Sequence, residues 1–335
     1  MKKMLLLAAS VCVMSVGAAG AAETIRLRFG FETPQTDSQY VGADHMKKWV
    51  AEKSGGRIDI QLFPASQLGS GPDMLTQMRG GTLDMYMGGS GFFATLAQRM
   101  NIMDIPFLIT NTRQVDTLLE GELGRSMLDD LDAHDMKGLA FWENGFRCLS
   151  NFRNPIRNVK DVAGLKLRLP GMPMHIEAWK ILGTNPVPMP LSELYTALET
   201  KTVEGQDHPL NVTYSAKLYE VQKYISVSNH AYSPLVLAMN QKKFNALPAD
   251  LQKILLDGAL EGARAQKKFI RENIDKMLKE MAGYGTEIIP ASEMDMKSFK
   301  DVLGDKVIKI YLEKHGGEVG AQWLNKINEV VKANP

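Results

Sequence analysis

Residues 25–63 read IRLRFGFETPQTDSQYVGADHMKKWVAEKSGGRIDIQLF, and their rhythm decides the fold class. Ile25, Leu27 and Phe29 alternate with Arg26 and Arg28, the period of two that a half-buried strand requires. Thr36 or Asp37 then offers a side-chain oxygen to cap a helix. Tyr40, Ala43, Met46, Trp49 and Val50 make its apolar side, and Gly55-Gly56 ends it. Alternation returns at Ile58, Ile60 and Leu62. Next, Pro72 and Gly80-Gly81 bracket a helix carrying Met74, Leu75 and Met78. Leu83 to Met87 reads as a further strand. Strand alternating with helix predicts an α/β fold with a largely parallel sheet.

After a helix ending near Leu131 the rhythm restarts. Gly138 to Trp142 reads as a strand, and Leu165, Leu167 and Leu169 form one face of another, with Lys166 and Arg168 opposite. Helices are predicted over Met174–Leu182 and Ser192–Thr200, and an apolar strand over Leu235–Met239. A helical pattern of more than thirty residues begins near Pro248 and carries Leu251, Ile254, Leu255, Phe269, Ile270, Ile274, Met277 and Leu278. That length exceeds the ordinary globular helix. The segment either bridges two lobes unbroken or breaks near Gly262.

At the N-terminus, Lys2 and Lys3 precede an apolar run from Met4 to Val16 and then small residues to Ala22, the form of a secretory signal peptide over residues 1–22. The run is shorter than the ~20 residues needed to span a bilayer. Cleavage is expected after Ala21 or Ala22. Val11 before Cys12 is branched where a lipoprotein signal needs a small residue, so a freely soluble periplasmic product is expected. That product keeps Cys148 alone and can form no internal disulfide. With 39 Lys plus Arg against 38 Asp plus Glu, the chain is nearly neutral, which argues against nucleic acid as a partner.

Enzyme motifs are mostly missing. Gly88-Gly89-Ser90-Gly91 resembles a nucleophile elbow only in part, because Phe92 occupies the place of the final glycine. Gly69-Ser70-Gly71 lacks the third glycine of a dinucleotide fingerprint, and there is no Walker motif. The six histidines show no metal-ligand spacing, so no metal and no cofactor is expected. Arg147 beside Cys148 would lower a thiol pKa, although a small buried residue is the simpler reading.

Three segments stand out together: Glu143-Asn144-Gly145-Phe146-Arg147, Gly164-Leu165-Lys166-Leu167-Arg168-Leu169-Pro170 and Val203-Glu204-Gly205-Gln206-Asp207-His208-Pro209-Leu210. With Phe63-Pro64-Ala65-Ser66-Gln67-Leu68-Gly69 and Pro188-Met189-Pro190-Leu191-Ser192-Glu193-Leu194-Tyr195, they resemble the DctP-type binding proteins of TRAP (tripartite ATP-independent periplasmic) transporters. The resemblance runs from the first strand to the C-terminus. It implies a two-lobed periplasmic-binding-protein fold with hinge strands and a long lobe-bridging helix. Lobe I would take residues 23–144 plus 233–272, and lobe II residues 145–232 plus 273–335. It also implies a monomer that catalyses nothing and hands its ligand to small and large membrane subunits.

The resemblance assigns Arg168 to the ligand carboxylate, and Arg147 as a second contact. A guanidinium suits the role because its planar fork matches a carboxylate with two parallel hydrogen bonds. From alternation alone Arg168 would be an exposed strand residue; for Arg147 the alternative is bracing the closed form through an interlobe ion pair. Family members usually carry Gln-Glu-Asn-Pro where this chain has Gln206-Asp207-His208-Pro209, so Asp207 and His208 become candidate ligand contacts; a turn before Pro209 is the alternative for His208. Sialic acid-binding members carry asparagine in place of Glu32, glutamate in place of Gly89 and phenylalanine in place of Leu191, which makes that ligand unexpected. Glu32 is a candidate acceptor for ligand hydroxyls or a salt-bridge partner. Gly89 and Ser90 are candidate cleft residues, and Phe31, Phe92 and Trp142 are candidate walls or simple core. A small organic acid is therefore expected, with a hexuronate or aldonate first. An aromatic or keto acid comes second and a C4-dicarboxylate third, and an exported sugar-acid lyase or isomerase is the rival class.

Overall fold

The computed structural model describes residues 24–335, so the predicted signal peptide lies outside the described residues. Alternation at the start yields β1 (Ile25–Gly30) and β2 (Ile58–Phe63), paired in parallel. Between them runs the helix Ser38–Lys53, and Asp37 is its cap, accepting from the Gln39 amide at 2.9 Å. The helix Gly71–Arg79 is started by a reciprocal capping box between Ser70 and Asp73, with Pro72 at the first turn. The next strand, β3 (Met85–Gly89), begins two residues later than its apolar pattern, and the Asp84 carboxylate just before it accepts the Arg28 amide at 2.7 Å.

Two strands organise everything else. β4 (Met136–Asn151, 16 residues) and β8 (Tyr224–Asn240, 17 residues) run antiparallel along most of their length. Around them lie β5 (Lys166–Leu169), β6 (Asn185–Pro188), β7 (Gly205–Pro209) and β9 (Glu287–Ile289). The sheet order is β2-β1-β3-β8-β4-β7-β5-β6, with β9 also on β8. Parallel pairs occur only toward the flanks, and β3–β8, β8–β4 and β4–β7 are antiparallel, so the sheet is mixed rather than largely parallel. In sequence, the apolar runs at 138–142 and 235–239 mark only parts of β4 and β8, although both strands are buried over most of their length. Their polar continuations, around Asn144 and Ser228, do not read as strand.

Each lobe takes one end of this ribbon. β3 pairs with β8 at residues 235–239, whereas β7 pairs with β4 at residues 147–151. The register between β4 and β8 shifts between Glu143 and Gly145 and again between Arg147 and Leu149. Gly145 sits at φ 118°, a conformation open to glycine at little cost. The crossover therefore carries two of the three register shifts of the β4–β8 pair and the most permissive residue, as expected of a hinge.

The long helix is unbroken from Ala249 to Tyr284, 36 residues, so the break at Gly262 does not occur. Gly262 is there for packing. A Cβ on it would lie 2.5 Å from Trp142 Cζ2, and one on Gly42 would lie 2.7 Å from the Gly262 carbonyl oxygen. The indole of Trp142 fills this gap and donates to the Ala259 carbonyl at 3.0 Å. No helix among the described residues is long and apolar enough to cross a membrane. Gly262→Ala raises helix propensity by up to ~1 kcal/mol, yet overpacking at this contact should cost ~1–3 kcal/mol. Urea denaturation is expected to show a net loss; a gain would mean that the contact is slack.

Candidate functional site

Where β5 and β7 end and β4 crosses between lobes, the chain gathers Glu32, Gly88, Gly89, Phe92, Asn144, Arg147, Arg168, Met172, Leu191 and His208 around one cleft. Crevices beyond strand ends are the usual ligand sites of such sheets. The lobes touch across it. A Cβ on Gly89 would lie 2.5 Å from Met172 Cε, and one on Gly91 would lie 2.6 Å from Met172 Cγ. The free space between them is ≈ 50 Å³, far below the roughly 300–1,000 Å³ of ordinary small-molecule sites. Any organic acid therefore requires the lobes to part.

Strand alternation sorts the polar residues. Arg168 pairs with Gln206 across β5–β7, so Arg168, Gln206 and His208 share a face, while Arg147 and Asp207 share the other. Arg168 is 2% exposed. Its Nε and Nη2 donate to the Met189 carbonyl at 3.0 and 2.6 Å, and Nη1 meets His208 Nε2 at 3.2 Å. Among the described residues no carboxylate hydrogen-bonds it. Burial pulls its pKa down to about 9 against the attraction of Glu32, so it stays cationic at neutral pH. Glu32 faces it from lobe I, accepting the Gly71 amide at 3.2 Å; burial raises its pKa, with Arg168 and that amide opposing.

Arg147 is differently employed. Its Nε donates to Asp207 Oδ1, its Nη2 to the Asp207 carbonyl, and its Nη1 to Ser233 Oγ at 3.3 Å. Asp207 Oδ2 collects Trp179 Nε1 at 2.7 Å, His175 Nε2 at 2.7 Å and His230 Nε2 at 3.0 Å. Against the upward push of burial, Arg147, His175 and His230 hold its carboxyl well below the usual carboxylate range. His175, Asp207 and His230 are residue types that ligate metals, and their ligand atoms lie within 4.8 Å of one another. Both carboxylate oxygens already accept N–H donors, however, and one donor is a guanidinium, which a metal cation would repel. The chemistry is that of a hydrogen-bonded carboxylate.

The structure thus brings Arg168, Arg147, His208, Glu32, Gly89 and Phe92 to the cleft, and leaves four other candidates away from its lining. Asp207 lies behind Arg147, spent on its donors. Phe31 packs in the core at 5.4 Å from the Phe29 ring. Trp142 faces the long helix. Ser90 is buried with an unpartnered hydroxyl. Cys148 is buried too, and desolvation pushes its thiol up to about 12, so neighbouring Arg147 does not activate it. Sequence reasoning missed Met172 and Gln39 altogether; Asn144 was visible as part of a motif but not as a cleft residue. It also missed the convergence of His175 and His230 on Asp207, since 55 residues separate them.

A larger cavity, ≈ 430 Å³, opens behind the hinge between the long helix and Leu128, Phe141 and Tyr232. Its charged groups are already paired: Arg271 with Asp116 and Glu143, Lys267 with Asp116 and Glu120, Arg264 with Glu261, Arg125 with Asp129. The smaller cleft alone of the two presents a buried cation without an acid bonded to it.

Residues 29–314 match the family model described as bacterial extracellular solute-binding protein, family 7, named DctP. The chain belongs to the DctP family. Among its relatives is the 2,3-diketo-L-gulonate-binding periplasmic protein YiaO of Escherichia coli, 41% identical over 91% of this chain and 92% of that one. The sugar acid binding protein DctPAm of Advenella mimigardefordensis, solved with galactonate, superposes with a TM-score of 0.87 at 29% identity over 93% of this chain and 99% of that one. A TRAP periplasmic solute binding protein of Polaromonas, bound to D-erythronate, gives 0.86 at 29% identity over 90% and 98%. The two-lobed fold is that of these proteins, and the family is one of transport receptors for solutes.

One buried carboxyl close to Gly91 has its pKa raised toward neutrality. Asp104 is buried with Oδ2 unpartnered, and burial raises its carboxyl to about 7, Arg147 opposing and Asp207 adding to the rise. A raised folded pKa means that the folded state holds a proton the unfolded chain has released, so stability falls as pH rises from about 4 through 7. Asp104→Asn should be more stable than the parent at pH 8 by at least about 1 kcal/mol, and the gap should narrow at pH 5. Urea midpoints at the two pH values measure this.

Proposed function

We propose that this protein is a monomeric periplasmic receptor that captures a sugar acid between its lobes and delivers it to the small and large membrane subunits of a TRAP transporter. It catalyses no reaction and binds no nucleic acid. The observation that carries the reading is the Arg168 guanidinium: buried, cationic, and bonded to a carbonyl and an imidazole rather than an acid. Burying a charge without a counter-charge is costly, and a ligand carboxylate entering the cleft supplies one. We place lobe I at residues 23–144 plus 233–272 and lobe II at 145–232 plus 273–335, since the register shift after Glu143 gives the ribbon its point of flexure.

The opposite wall selects among acids. Glu32 is an acceptor facing the anchor, which suits a hydroxyl and repels a second carboxylate; this disfavours C4-dicarboxylates. Phe92 is the sole one of the three candidate aromatics at the cleft lining, which leaves no stacking pair for an aromatic acid. A hydroxylated monocarboxylate, an aldonate or uronate or their keto forms, remains. The 2,3-diketo-L-gulonate named for the relative at 41% identity belongs to that class.

The test is a thermal-shift screen of ligand-stripped protein against galactonate, glucuronate, 2,3-diketo-L-gulonate and succinate, each beside its ester or alcohol. Ligand at about 100 times its dissociation constant adds about 2.7 kcal/mol and moves the midpoint by several degrees. A shift with a sugar acid and none with its neutral analogue is the expected outcome. Arg168→Ala should weaken that acid at least about 100-fold, as loss of charge-assisted bonds of about 1.5–3 kcal/mol each requires. Retained affinity in this variant, or a response to succinate alone, would refute the proposal.

A further inference from the structure

His208 replaces a ligand-facing side chain of the sequence reading, yet both of its ring nitrogens are already engaged. The chain of bonds behind it has a fixed direction. Gln222 Nε2 donates to the Val221 carbonyl at 2.9 Å, which leaves Gln222 Oε1 to accept the Ser150 hydroxyl at 3.3 Å. Ser150 Oγ accepts from Gln206 Nε2 at 2.7 Å, and the same amide donates to Thr213 Oγ1 at 3.2 Å. Gln206 therefore presents its carbonyl oxygen to His208 Nδ1 at 2.6 Å. An amide carbonyl there requires Nδ1 to carry the proton. Nε2 is left with its lone pair, into which Arg168 Nη1 donates at 3.2 Å. All four side chains, Gln222, Ser150, Gln206 and His208, are at least nine-tenths buried.

We propose that His208, its tautomer set by the Gln206–Ser150–Gln222 relay, is a positioning residue that aims Arg168 at the ligand, and that the aim holds only while its imidazole is neutral. This rests on the reading of Arg168 as the carboxylate anchor. With Nε and Nη2 fixed on Met189 and Nη1 on His208, the plane of the guanidinium is fully determined, and two N–H bonds remain for a ligand in the cleft that Arg168 lines. An Nε2–H imidazolium would face the guanidinium with a proton, placing two cations in contact. The charged and titratable groups around the ring are Arg168 on β5, Arg147 on β4, Asp207 on β7 and His175 on the helix Pro173–Ile181. Burial, with Arg168 and Arg147, holds the ring well below the ordinary histidine range, while Asp207 pulls the other way. Neutrality across the periplasmic pH range follows.

The first measurement is the pair of ¹⁵N shifts of the His208 ring in unsubstituted, ligand-stripped protein, assigned by their loss in His208→Asn. The Nδ1–H tautomer, unchanged from pH 8 to 5.5, is expected. An Nε2–H tautomer, or a ring that titrates in that range, overturns the relay whatever the cleft binds. The second measurement uses Gln206→Glu, whose carboxylate at Nδ1 favours the imidazolium. With galactonate as probe, the ratio of the Gln206→Glu to the parent dissociation constant should rise at least about tenfold from pH 8 to 5.5, a change worth 1.4 kcal/mol. Adding His208→Asn should abolish that pH dependence. A Gln206→Glu profile that tracks the parent while its ring is protonated overturns the positioning role. Retained galactonate affinity in Arg168→Ala overturns the anchor instead and leaves the ¹⁵N result standing, so the two failures are distinguishable.

Discussion

One carboxylate ties the second lobe to the hinge. Asp207 is wholly buried, and an ion in that position is tolerable only if every lone pair finds a donor. It finds them on three other elements: Arg147 on β4, His175 and Trp179 on the helix Pro173–Ile181, and His230 on β8. Satisfying one charge thus fixes the crossing strands against the helix behind them. It also immobilises Arg147, the residue nearest the bulges of β4. Such a network is all or nothing: fully bonded it rigidifies its surroundings, and with one member missing it leaves a stranded charge.

The two arginines of the cleft consequently differ, although the sequence offers them as a pair. Arg147 is neutralised by Asp207 on its own face of the sheet. Arg168, on the other face, is held only by the Met189 carbonyl and His208. The difference is one of register. A shift of one residue in β7 would exchange the two faces and give Arg168 the acid. The bare cation is therefore a product of strand pairing, not of the side chain's identity.

Much of this was legible beforehand. Period-two and helical patterns located β1, β2 and the first two helices, because those elements bury one face and expose the other. Glycine and proline at the ends of the helix Gly71–Arg79 set its limits. The family segments led to Arg168 and Arg147 because their residue order survives intact, whereas Glu32 stood out as a departure from the sialic acid-binding members. What failed to show was long-range or two-faced. β4 and β8 are buried over most of their length and carry polar residues at the hinge, so their pattern breaks where the strands continue. Gly262 reads as a helix breaker until Trp142 is known to pack on it. Trp142 and Phe31 read as cleft walls because aromatic residues suit a cleft and a core equally. His175 and His230 meet on Asp207 only through the fold.

The route of the backbone carries a further consequence. With the lobe bounds proposed above, three segments pass from one half of the molecule to the other: β4, β8 and the 36-residue helix. Neither half is a contiguous stretch of chain, so a single genetic crossover cannot graft the anchor half of one receptor onto the selector half of another. A chimaera needs three matched junctions, two of them inside hydrogen-bonded strands and one inside a helix packed against both. Recombination, which readily shuffles domains strung end to end, has little purchase on such a topology.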